Sequence, residues 1–291
     1  MSKKKSRILD FKEANRTRQI EYYLDDLEAS VREGDYVSLD EVVELLVAKM
    51  TWSIPRIILR LQKYLVLGEE RFVNAYRDVL VQIGRPALSD LKNAAARQPN
   101  WAIYPDIAAE IFISEMIDNF FAWREHHIKE DAYHVYQSAL VEELVRLGTP
   151  VVPQLVRNLM NVNIREYIIL ALGKIGDKRA TAILTTFLRE IQLFSYKQHK
   201  SLARQVVRAL GEIGDRRAVR PLAEFLGTDS LVGKEEAARA IEKILGQNFG
   251  KFDSFGTNKR SWRTYQRRIL EYLTAENAAA PPMKLIRGTL S

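Results

Sequence analysis

Apolar residues recur along this chain with the period of a helix, and strand-like alternation is almost absent. Residues 10–33 form a charged amphipathic segment, with Ile20, Tyr23, Leu24 and Leu27 at helical spacing and Gly34 as the stop. Ser38 and Glu41 read as a capping box that starts the next helix, whose stripe is Leu39, Val42, Val43, Leu46 and Val47. Pro55 sits where the first turn of a third helix tolerates proline, and Ile58, Leu61 and Leu65 follow until Gly68. Pro105 to about His126 reads as one long, very apolar helix. The 14 Gly and 9 Pro fall between such segments, so turns and not kinks are what they encode.

From Tyr136 onward the turns repeat. The runs are Glu143-Leu144-Val145-Arg146-Leu147-Gly148, Ala171-Leu172-Gly173-Lys174-Ile175-Gly176-Asp177-Lys178-Arg179-Ala180 and Ala209-Leu210-Gly211-Glu212-Ile213-Gly214-Asp215-Arg216-Arg217-Ala218. A second amphipathic helix follows each, at Val152–Leu159, Ala182–Leu188 and Val219–Leu226. A weaker copy lies at Leu80–Leu88, and a degenerate one ends at Gly246. Gly148, Gly176 and Gly214 suit left-handed helix ends, and Asp177 and Asp215 can cap the helix that follows. The small residues before the turn let paired helices approach closely. One hairpin cannot bury its apolar face alone, so the array must stack. The 38-residue step from Gly176 to Gly214 leaves room for an inserted loop near Phe194-Ser195-Tyr196.

The Ala-Leu-Gly-x-Ile-Gly-Asp-x-Arg-Ala pattern resembles the HEAT-like repeats of the family that includes phycobilin lyases. The likeness is specific over residues 163–246, fair over 136–162 and weak over 75–98. It implies an all-α, right-handed α-solenoid of stacked antiparallel helical hairpins, an armadillo-type fold. Such a solenoid usually binds a protein on its concave face, and sometimes nucleic acid. It implies no chemistry. The closing segment from Leu245 to Gly250, with Trp262 and Tyr265, is similar to one seen in bacterial HEAT-repeat proteins. Phe249, Phe252, Trp262 and Tyr265 are then expected to cover the open apolar end of the last hairpin, the competing reading being a ligand-stacking platform. The resulting division is a basic flexible N-terminus at 1–10, divergent hairpins at 11–98 and an irregular long-helix insertion at 99–135. Regular repeats at 136–246, an aromatic cap at 247–274 and a flexible tail at 275–291 complete it. Within the tail, Met283-Lys284-Leu285-Ile286-Arg287 has the form of a short docking motif.

Charge sharpens this picture. The chain has 291 residues and a formal net charge of +7, but residues 21–50 carry −7 and 99–147 carry −6, while 157–220 carry +8. Lys200, Arg204 and Arg208 recur every four residues and share a helix face. Lys178-Arg179 and Arg216-Arg217 occupy equivalent turns, and Lys174 lies nearby. Together they predict a basic stripe suited to an acidic protein surface or a phosphate backbone. A merely solvated face, partly neutralised by Asp177 and Asp215, is the plain alternative. The opposite charges of the two halves also allow self-association.

Catalytic signatures are absent from the sequence. Without Cys there are no disulfides, thiolate metal sites or thiol nucleophiles. No Walker, Rossmann or nucleophile-elbow motif occurs. His127, Asp131 and His134 are spaced i, i+4, i+7 and would present a metal-ligating set on a continuous helix. Lys129-Glu130-Asp131 instead looks like a helix junction, which breaks that geometry. Trp52, Trp101 and Trp123 sit in apolar contexts and are expected to serve core or hairpin packing, the competing reading being a ligand cage. The start Met1–Arg7 is basic without an apolar run behind it, and no segment approaches the ~20 apolar residues of a membrane span. The expectation is a cytoplasmic, non-catalytic binding scaffold without a cofactor, most directly for an acidic protein. An accessory subunit of a bilin or cofactor lyase and a HEAT-like nucleic-acid binder are the alternatives.

Overall fold

The computed structural model describes residues 2–48, 50–97, 103–126, 129–192, 197–228, 232–250 and 259–279. Among these residues lie fourteen α-helices, three short 3-10 turns and no strand. They form two compact units, Met1–Tyr136 and Gln137–Ser291. Each is a stack of helical hairpins, the arrangement of an all-α solenoid.

Unit 1 contains α1 (Ser2–Glu33), α2 (Tyr36–Ala48), α3 (Met50–Leu67), α4 (Glu70–Ile83), α5 (Arg85–Arg97), α6 (Ile103–His126) and the start of α7 (Glu130–Leu147). Helices pair as α1 with α2, α3 with α4 and α5 with α6, and the pairs stack, α3 against α5 and α4 against α6. Their core runs from Ile20 and Leu24 through Ile57, Leu61 and Tyr76 to Ile107. It holds one buried carboxylate, Glu28, only 4 % exposed. Tyr76 Oη donates to it at 2.9 Å and Arg60 Nη1 at 2.7 Å. Arg60 also reaches Glu21 at 2.7 Å and Asp25 at 2.9 Å, which ties α3 to α1. Burial works to raise the Glu28 carboxyl, but hydrogen bonds from Tyr64, Tyr76 and Arg60 outweigh it and hold it below the usual carboxylate range.

Four details differ from the sequence reading. Helix α1 begins at Ser2, where a flexible arm over residues 1–10 was expected; no Gly or Pro interrupts residues 2–33. The cap of α2 is Asp35 and not Ser38. Its Oδ1 accepts the backbone N–H groups of Val37 and Ser38, and Oδ2 accepts the Ser38 hydroxyl at 2.6 Å. Gly34-Asp35 is therefore a third Gly-Asp corner, with Gly34 at φ 72°. Pro55 lies inside α3, which reaches back to Met50. Trp52 is not a core residue; it is 46 % exposed.

Unit 2 contains the end of α7, then α8 (Val152–Asn158), α9 (Arg165–Ile175), α10 (Thr181–Gln192), α11 (Lys197–Ile213), α12 (Val219–Leu226), α13 (Lys234–Leu245) and α14 (Lys259–Ala279). Short 3-10 turns at Thr149–Val151, Lys178–Ala180 and Arg216–Ala218 precede α8, α10 and α12. Helices α9, α11 and α13 pack side by side, with α8 beside α9, α10 beside α11 and α12 beside α13.

The closeness of that layer has a plain cause. A Cβ on Gly173 would lie 2.9 Å from Ala209 Cα, and one on Gly211 would lie 2.8 Å from Ala240 Cβ. Each helix thus offers an Ala to the preceding Gly and its own Gly to the following Ala. Val145 stands at the equivalent place in α7, and α9 packs less closely there. At the far end Glu242 takes the glycine's place in α13. Lys234, 2 % exposed, closes α12: its Nζ donates to the carbonyls of Leu226 at 2.7 Å and Thr228 at 2.6 Å, a cation at a helix C-terminus.

Gly173→Ala should destabilise the protein by about 1–3 kcal/mol, because the backbone of α11 blocks the added methyl. Gly227→Ala should change stability by less than about 0.5 kcal/mol. Its new Cβ meets only the flexible end of Gln266, and its φ of −75° suits alanine. Calorimetric melting of the two variants beside the parent chain checks both.

Candidate functional site

The corners of unit 2 carry the residues predicted to bind. At Gly176 (φ 72°) and Gly214 (φ 69°) one helix ends, and the next residue is an aspartate. Asp177 Oδ1 accepts the Arg179 backbone N–H at 2.8 Å, while Oδ2 accepts the Arg179 guanidinium through Nε at 2.9 Å and Nη2 at 2.6 Å. Asp215 repeats this on Arg217, with distances of 3.0, 2.8 and 2.6 Å. Each arginine then reaches one repeat back. Arg179 Nη2 donates to the Thr149 carbonyl at 2.6 Å, and Arg217 Nη2 to the Lys178 carbonyl at 3.0 Å. Thr149 and Lys178 each open the 3-10 turn of their corner, so the two arginines bind equivalent carbonyls. The corner is a staple between successive repeats.

The carboxylates feel these partners. The Arg179 side chain holds Asp177 below the usual carboxylate range. Asp215, which the Arg217 side chain binds foremost, is lowered to about 2. Both arginines are correspondingly raised.

The remaining described cations, Lys178 excepted, meet carboxylates on three other helices. Arg204 and Arg208, on the exposed face of α11, converge on one carboxylate, Glu236 of α13, at 3.0 and 3.3 Å. Lys174 of α9 pairs with Glu142 of α7, and Arg216 with Glu276 of α14. Lys178 is exposed and is the one described member of the predicted stripe without a carboxylate partner. The side chain of Lys200 lies outside the described residues. The sequence reading missed Glu142, Glu236 and Glu276. Lys174 and Glu142 are 32 residues apart, and Arg208 and Glu236 are 28 apart, close to one repeat, and that offset was the available signal.

At the end of the array α14 lies on α12. Trp262 and Tyr265 are buried, and Phe249 meets Tyr265 edge-on at 6.3 Å. Tyr265 Oη donates to Glu242 at 2.7 Å, and Glu242 also accepts the Phe249 N–H at 3.2 Å. Burial, with the Glu242 carboxylate, pushes the Tyr265 phenol up, so it is a neutral donor. Phe252, Trp101, the loop at 194–196 and residues 280–291 lie outside the described residues.

Of the metal candidates, His127 lies outside the described residues, and α7 starts only at Glu130, so the i, i+4, i+7 set does not sit on one helix. His134 lies 3.6 Å from Glu130 on an exposed face. Among the described residues no group of three His, Asp or Glu is placed to hold a metal ion. No described helix is long and apolar enough to cross a membrane.

With this geometry in hand, comparison with known proteins identifies the repeat. Residues 164–190 and 202–228 each match the family described as the PBS lyase HEAT-like repeat. The first match spans α9, its Gly-Asp corner and most of α10, and the second spans most of α11, its corner and α12. These two adjacent segments are HEAT-like repeats by this comparison. No curated protein matches the sequence.

Loss of the Asp215 staple should show in acid. Its folded pKa lies below the ordinary value of about 3.9, so its contribution is present above pH ~4 and fades as pH falls toward 2. The stability difference between the parent chain and Asp215→Asn should therefore be about 2 kcal/mol near pH 6 and shrink between pH 4 and 2. Urea melts of both proteins across that range provide the check.

Proposed function

We propose that this protein is a non-catalytic binding scaffold whose unit 2 presents exposed arginines to an acidic protein partner. The observation that carries this reading is the sharing of one carboxylate, Glu236, by Arg204 and Arg208. The rung keeps an uncompensated positive charge. Both guanidinium groups are about half exposed, at 45 and 60 %, so exchanging Glu236 for a partner's carboxylate costs little. Lys178 adds a further unmatched charge at the corner edge. Repeat scaffolds of this kind bind through surfaces assembled from several hairpins.

Arg179 and Arg217 play a different part in this reading. Their guanidinium groups staple repeats together, so their loss should weaken the fold before it weakens a partner contact. A second reading, an accessory to a bilin or cofactor lyase, is favoured by the name of the matched repeat. It predicts visible absorbance after incubation with a bilin.

The triple variant Lys178→Glu, Arg204→Glu, Arg208→Glu should keep its helical circular dichroism and lose at least about tenfold in affinity for a labelled polyglutamate peptide, with parent binding weakening as salt rises. Arg217→Glu alone should lower the melting temperature. Unchanged peptide binding in the triple variant would remove the reading. Tighter binding to duplex DNA than to the peptide would turn it toward nucleic acid.

A further inference from the structure

Helix α3 carries a feature that neither the repeats nor the basic corners account for. Its inner face buries Ile54, Ile57, Ile58, Leu61 and Tyr64. Its outer face carries Trp52, Leu59 and Val66, seven residues apart, exposed by 46, 64 and 75 %. Leu67 beside them is 57 % exposed. Seven-residue spacing keeps side chains within about 20° of one line along a helix, one every ~10.5 Å. The result is an apolar seam two heptads long on the surface. A groove of about 320 Å³ runs beside it between α3 and α5, with Pro55, Ile58, Leu59, Asp90, Ala94 and Arg97 in its lining.

We infer that this seam and groove dock a single amphipathic helix of another protein, one with acidic residues flanking its apolar stripe. The periodicity selects a helix, because a partner stripe at positions i, i+3, i+4 and i+7 matches a heptad-spaced seam along its whole length. Area argues against a second copy of this chain. The exposed side chains offer on the order of 400 Å² of apolar surface, the size of patch that marks a binding site, yet about half of what one partner contributes to a standard interface. Charge selects the sign. Arg16 lies over the Trp52 ring at 3.8 Å, and Lys63 lies over Tyr64 at 4.5 Å. Arg97 lines the groove. Among the described residues none of these three has a carboxylate partner, whereas Arg56 and Arg60 of the same helix are bound to Glu21. Asp90 is the one acidic group in the lining. Unmatched cations beside an apolar seam are met by a helix that carries Glu or Asp next to its Leu or Ile positions. This site lies wholly in unit 1 and uses none of the arginines of unit 2.

The test uses the full chain and a fluorescein-labelled helical peptide of about three heptads, with Leu at the a and d positions and Glu beside them. A second peptide carries Lys in place of each Glu. Anisotropy should show saturable binding of the Glu peptide and binding at least about tenfold weaker for the Lys peptide. Leu59→Asp with Val66→Asp should weaken the Glu peptide by about tenfold or more, and Lys63→Glu with Arg97→Glu should weaken it severalfold. Val162→Asp, at an exposed apolar position of unit 2, should leave it unchanged. Leu59→Ser with Val66→Ser, judged by circular dichroism and melting, serves if the aspartates unfold the chain. Absence of saturable binding, equal affinity for both peptides, or indifference to the seam substitutions overturns the proposal. So does a parent dimer in sedimentation that the seam substitutions convert to monomer, which would give the seam to a second copy.

Discussion

Unit 2 depends on how near one helix can come to the next. Where Gly173 faces Ala209 and Gly211 faces Ala240, the backbones of α9, α11 and α13 come close enough that an added Cβ would meet the facing alanine within 3 Å. Close approach maximises dispersion contact and excludes water from a broad strip of backbone. It also fixes the translation and rotation from one repeat to the next, because a helix seated on a glycine has little room to slide. The arginine staples follow from that registration. Arg217 finds the Lys178 carbonyl, and Arg179 the Thr149 carbonyl, although 39 residues separate the first pair and 30 the second, because the corners themselves are set side by side.

The same registration decides what happens to charge. The +8 stretch at 157–220 looks like a continuous cationic surface when counted along the sequence. In three dimensions each cation meets what the neighbouring helix supplies. Two arginines go to the backbone, Lys174 and Arg216 each face a carboxylate, and Arg204 and Arg208 divide a single one. Among the described cations of the predicted stripe only Lys178 has no carboxylate beside it. A net charge read from composition overstates the available field when repeats place opposite charges one period apart.

Much of the fold was legible because its signals are local. A glycine with positive φ followed by aspartate writes a helix end and a cap into adjacent letters, so the corners at 176–177 and 214–215 were readable. The corner at 34–35 carries the same two letters, but the attractive Ser38 and Glu41 spacing drew the cap three residues too far along. Pairings between helices were not legible, since Glu236 and Glu142 are ordinary surface residues until α11 and α9 are set beside α13 and α7. Trp52 shows the converse error. An apolar neighbourhood in sequence suggested burial, yet α3 already fills its inner face with isoleucines and leaves tryptophan outside.

Glu242 has a consequence for how the array ends. Where its two predecessors leave a bare backbone, it sets a charged side chain engaged by Tyr265 and the Phe249 amide. A further helix laid on α13 as α13 is laid on α11 would meet a charged side chain where a bare glycine stood before, so the contact that joins these repeats is not offered a third time. The residue that fills the seat is also the one that anchors α14 through Tyr265, so the interruption of the pattern and the attachment of the closing helix are one event.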